Sequence, residues 1–176
     1  MSVPPRLAPL LAQLDTSLAM ALERMQGLTD EEFWWLPERD AVTLAPNAQG
    51  KLRPTPLPDE SPRTRTIALL VGHLGDMGIM RADYTNGGHT LTPDDLDWPD
   101  NVADGISFMR ESWATWRGAL TSLQDHELDM VGRSAFPWGL DPGLPILDIA
   151  WWMNRELIHH TAEIAFVRDL YARRGA

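Results

Sequence analysis

The sequence predicts an all-α fold, a four-helix bundle with long crossover loops, and three observations predict it. Four segments repeat apolar residues at three- and four-residue spacing, two long breaker-rich stretches separate them, and no strand-like alternation of comparable length occurs. The chain has 176 residues, 44% of them hydrophobic, enough for one domain over residues 1–176 with a sizeable core.

The first stripe is Leu7, Leu10, Leu11, Leu14, Leu18, Leu22 and Met25, ended by Gly27. Thr29 followed by Asp30, Glu31 and Glu32 then reads as a capped helical turn. Residues 37–62 hold Pro37, Pro46, Pro54, Pro56, Pro58 and Pro62 without helical periodicity, so they predict a long loop, either a cover or a solvated excursion. A second helix is predicted from Arg63 to Tyr84, with Thr66, Leu69, Leu70, His73, Met77, Met80 and Tyr84 on its stripe. Residues 85–99 form an acidic turn region. The third helix carries Val102, Ile106, Met109, Trp113, Trp116 and Leu120. Gly132, Pro137, Gly139, Pro142, Gly143 and Pro145 break the stretch 121–145. The last helix is predicted from Pro145 or Asp148 to about Arg173, and its stripe reads Ile149, Trp152, Met153, Glu156, His160, Glu163, Val167 and Leu170.

Composition excludes several functions. The net charge is −10 and basic residues cluster nowhere except Arg173-Arg174, so nothing offers nucleic acid a positive patch. No apolar run approaches the roughly 20 residues of a membrane span, and no signal peptide is apparent; a soluble, cytoplasmic protein is expected. There is no cysteine, so disulfides, thiolate metal sites and a cysteine nucleophile are excluded. Any metal must sit on His, Asp or Glu, and any thiol must come with a second substrate.

Helices 1 and 3 present only apolar groups to the core, whereas helices 2 and 4 place His73, Glu156 and His160 at the centre of theirs. Glu156 and His160 are one turn apart, about 40° around the helix, and Glu163 falls between them. A buried carboxylate must be paired, protonated or metal-bound. The i, i+4 pair lets two side chains converge on one ion, and a third ligand from a facing helix would leave open positions for water or substrate. Two imidazoles and a carboxylate suit Zn, Ni, Mn or Fe as the divalent ion. The plainer reading is a satisfied core histidine, with Arg155 or Arg168 paired to Glu156. His159 lies at the stripe's edge, as a ligand, a ligand's partner, a substrate contact or a peripheral residue. Glu163 either orients His160 or meets a positive group on helix 1 or 2. Asp76 either reaches the ligand shell or faces solvent. His89 and His126 read as surface residues, and Trp152 is placed to wall a pocket.

Two stretches resemble the DinB-like superfamily, which includes mycothiol- and bacillithiol-dependent enzymes. Thr66-Ile-Ala-Leu-Leu-Val-Gly-His-Leu-Gly-Asp76 is similar to the helix whose histidine is a ligand in that family. Asn154-Arg-Glu-Leu-Ile-His-His-Thr-Ala-Glu-Ile-Ala-Phe-Val-Arg-Asp-Leu-Tyr171 resembles its last helix, where a His-x-x-x-His pair supplies the other two. The order and lengths of the four helices match as well. The resemblance implies metal ligation by His73, Glu156 and His160, with Glu156 standing where the family usually has histidine. It further implies a metal-dependent transferase or isomerase using mycothiol or bacillithiol with a small-molecule substrate, and a homodimer, which is common among relatives. A metal-dependent hydrolase with Glu163 or His159 as catalytic base, and a non-catalytic bundle binding a small molecule or partner, are the alternatives.

Overall fold

A computed structural model describes residues 3–56, 59, 63–133 and 141–175. Four long helices carry the fold: α1 (Ala8–Arg24), α3 (Ile67–Asn86), α4 (Val102–Thr121) and α5 (Ile146–Ala172), with the short α2 (Asp30–Phe33) after α1. Their starts are set by side chains that satisfy otherwise unpaired amide donors. Thr29 accepts from the Glu32 amide, Thr66 from Leu69 and Asn101 from Asp104. Pro145, which has no amide hydrogen to lose, stands at the entry to α5. Gly27, at φ +70°, supplies the left-handed turn that closes the chain after α1.

α3 is the central helix. It buries fifteen of its twenty residues, while α1 and α4 bury one stripe each. α3 and α4 pack together most closely, and α5 lies against both α1 and α3. Glycine permits that approach. A Cβ on Gly78 would lie 2.7 Å from the backbone carbon of Ser112 and 3.0 Å from the Trp113 amide nitrogen. The fully buried Trp113 donates from its indole to the Leu74 carbonyl at 2.8 Å, fixing register across the same seam. Because backbone cannot rotate aside as a side chain can, Gly78→Ala is expected to cost about 2 kcal/mol by overpacking. Thermal denaturation would read this as a Tm drop of several degrees, and an unchanged Tm would refute the contact.

The connection after α2 departs from the expected loop. It carries a two-stranded antiparallel hairpin, β1 (Leu44–Pro46) with β2 (Leu52–Pro54), turned through Asn47–Gly50. Asn47 accepts from the amides of Gln49 and Lys51, and Gly50 takes φ +79°. Three-residue strands ending in proline give too little alternation to read in sequence. Val42 then bridges in parallel to Arg65, and the Thr66 hydroxyl donates to that of Thr43, so this segment is fastened to the start of α3. The second helix therefore begins at Ile67 rather than Arg63, since residues 64–66 are extended, and it runs on to Asn86.

At the other end, Asp125–Asp129 form a 3-10 turn held by Arg6, and the Ile146 amide donates to Met130. Arg168 donates to Glu32 at 2.6 and 3.2 Å and to the carbonyls of Arg24 and Gln26, tying α5 to the end of α1. Among the described residues no helix is long and apolar enough to cross a membrane.

Candidate metal centre

His73 lies in the second turn of α3 between the buried Leu70 and Met77, and His160 lies on the α5 stripe between the buried Leu157 and Ile164. Packing those stripes together brings the two imidazoles edge to face, with ring centroids 4.9 Å apart at 87°. Glu156 and Glu163 flank His160 from one turn before and one turn after. Glu156 Oε2 is 3.6 Å from His160 Nε2, and Glu163 Oε2 is 3.2 Å from Nδ1. His160 is thus the hub of the cluster.

Burial pushes the His73 imidazole down to about 4, with the charges of His160 and Arg65 acting in the same direction; Glu156 and Glu163 only partly oppose them. His73 is neutral at physiological pH, the form that ligates metal. Among the described residues it makes no hydrogen bond, in contrast to a core histidine locked by partners. Burial opposes ionisation of Glu163, but the His160 hydrogen bond and the Arg65 guanidinium prevail and hold its carboxyl below the usual range. Arg65 reaches both Glu163 oxygens, at 3.0 and 2.8 Å. Glu163 therefore does both things considered for it: it meets a positive group at the start of α3, and it orients His160.

Arg155 donates to Glu156 Oε1 at 3.2 and 2.6 Å, so one of the pairings considered for Glu156 forms. The other does not, because Arg168 is committed to Glu32. His159 is exposed, with its ring centroid 4.9 Å from that of His160. The set whose donor atoms all fall within 4.8 Å of one another, among the described residues, is His159, His160 and Glu163. Among the described residues the expected trio of His73, Glu156 and His160 is not gathered to that spacing; His160 meets His73 ring to ring and Glu156 through Oε2, an inner set that overlaps the outer set of His159, His160 and Glu163 at His160. Both offer nitrogen and carboxylate oxygen, a donor chemistry that fits a divalent cation.

The family model described as the DinB superfamily matches residues 13–164. The chain belongs to the DinB superfamily. The matched region contains His73, Glu156, His159, His160 and Glu163, so every candidate residue of this DinB-superfamily chain lies inside it. No curated protein and no solved structure matches the chain.

Arg65 escaped the sequence reading, which placed it inside the second helix but off its stripe; it lies instead on extended backbone before Ile67. Arg81 escaped it too: one turn after Met77, it is fully buried, donates to the Arg133 carbonyl at 2.6 Å, and lies 6.0 Å from the Trp152 ring. Asp76 is buried, and the charge acting on it is that of Arg53 on β2. His89 stacks on Tyr84 and meets Arg133. The segment 37–62, read from sequence as a cover or a solvated excursion, abuts Arg65 through Val42, whereas the segment 121–145 joins α5 at its first turn, roughly 20 Å from His160 at 1.5 Å per residue; residues 134–140 lie outside the described residues.

Proposed function

We propose that this DinB-superfamily protein holds one divalent cation on His73, Glu156 and His160 and uses it in a transferase or isomerase reaction with a low-molecular-weight thiol, mycothiol or bacillithiol, as cosubstrate. One observation carries the reading: a neutral, half-buried His73 ring is set against His160, with a carboxylate beside the same histidine. A cation bound there supplies Lewis acidity that favours thiolate over thiol. The absence of cysteine means that the thiol must be brought in.

The remaining groups have separable roles. Glu163 accepts the Nδ1 proton of His160, which fixes the tautomer and leaves Nε2, the nitrogen nearer Glu156, as the donor. Arg65 steadies Glu163. His159, exposed beside His160, is placed to exchange a proton with substrate and solvent. The apolar walls of α3 and α5 limit water around the inner histidines.

A second reading has its own support, because His159, His160 and Glu163 are the more tightly gathered donors. The inner set is preferred: a cation on Glu163 would compete with Arg65, whose two hydrogen bonds already occupy both oxygens. The test mixes protein loaded with Zn, Ni, Mn or Fe with each thiol and a generic electrophile. Turnover that needs the thiol and disappears in His73→Ala is expected. Turnover without thiol would point to hydrolysis, and no turnover above the His73→Ala control would remove the transferase reading.

A further inference from the structure

The two oxygens of Glu156 face different groups. Oε1 takes two hydrogen bonds from the Arg155 guanidinium, at 3.2 and 2.6 Å, while Oε2 is turned toward His160 Nε2 at 3.6 Å. The carboxylate is largely buried, its side chain 18% exposed, whereas Arg155 reaches out to 54%. Arg155 is itself braced: its guanidinium lies 5.7 Å from the ring of Trp151, one turn earlier on α5, and this gives the exposed Trp151 a task. Neighbouring residues on a helix point about 100° apart, so this contact requires Arg155 to fold back along the helix surface onto Glu156.

We propose that Arg155 is a positioning residue that withholds Oε1 of Glu156 from the cation site, leaving Oε2 as a single donor and offsetting the carboxylate's charge. The inference rests on the cation reading given above. Glu156 then offers one donor atom with reduced net charge, which is what an imidazole at that position would offer. A free carboxylate could instead chelate through both oxygens and bind the cation harder, closing a coordination position that a substrate needs.

The test titrates Zn²⁺ against a competing chelator in the wild type, Arg155→Ala and Arg155→Lys, and records visible spectra of the cobalt(II) forms. Removing a screened positive charge next to a ligand is expected to tighten binding on the order of tenfold in Arg155→Ala. Lysine retains the charge and should stay near wild type. The cobalt absorption should weaken in Arg155→Ala as a second oxygen raises the coordination number. Unchanged or weaker Zn²⁺ affinity in Arg155→Ala, or an unchanged cobalt spectrum, overturns the proposal while leaving the cation reading intact. A wild type that binds neither Zn²⁺ nor cobalt overturns both. Arg155 is exposed, so circular dichroism of the variants should match the wild type.

Discussion

Protein produced with ample divalent metal and then purified is expected to retain about one equivalent of cation, and His160→Ala is expected to lose it. His160 presents Nε2 toward Glu156 and Nδ1 toward Glu163, so removing its ring takes away a donor common to both possible sets. It also leaves two carboxylates flanking an emptied, largely apolar position. Loss of a partner that merely orients a ligand costs 10–100-fold in affinity, so loss of a ligand should cost at least about 100-fold. Two further variants separate the sets. If the inner one binds, His73→Ala should lose nearly as much as His160→Ala, while His159→Ala should change affinity by less than about tenfold. The reverse pattern in elemental analysis would transfer the site to His159, His160 and Glu163. Equal cation content in all four proteins would end the metal reading.

Asp76→Asn is expected to stabilise the protein at neutral pH by about 2 kcal/mol, and not at pH 4. Burial pushes this carboxyl up to about 6 from an ordinary 3.8, Arg53 only partly opposing it. Its Oδ1 is buried and accepts no hydrogen bond among the described residues. Below about pH 4 folded and unfolded chains both carry the proton. Between about 4 and 6 only the folded chain holds it, so stability falls as pH rises, because the unfolded state binds fewer protons. Above about 6 the folded state carries a buried charge and the penalty is complete. A shift of about two units, in which the attraction to Arg53 is already included, corresponds to about 3 kcal/mol at most. Thermal melts from pH 4 to 8 should show the variant's advantage appearing across this window, reaching a Tm gain of several degrees. A pH-independent difference between the two proteins would contradict the assignment to Asp76.

Much of the bundle was legible because a helix repeats its demand for apolar contact every turn. α1 and α4 follow their stripes to within a residue or so, and Thr29 caps the short turn anticipated for it. The hairpin was not legible, since its stability comes from an Asn47–Gly50 turn and from cross-links to residues 64–66 rather than from any periodic pattern. The polar residues at the centres of two apolar stripes were readable as anomalies, because burying His73, Glu156 and His160 calls for an explanation wherever the helices pack. Arg65 was not readable as a member of the cluster, because it sits on extended backbone and only side-chain reach brings it in. Arg155 was readable as one of two candidate partners of Glu156, and only the structure chose it over Arg168.

The sequence alone therefore determined which faces turn inward and which chemical groups would be found there, since periodicity and desolvation act on each helix separately. It also excluded cysteine chemistry outright. Tertiary structure alone decided the pairing: that His73 meets His160, that Glu163 is held by Arg65, and that Asp76 is buried near Arg53 instead of the histidines. Those facts depend on how far and at what angle one helix lies against another. That relation is set by glycine-sized contacts such as Gly78 on Ser112, and no single helix carries it.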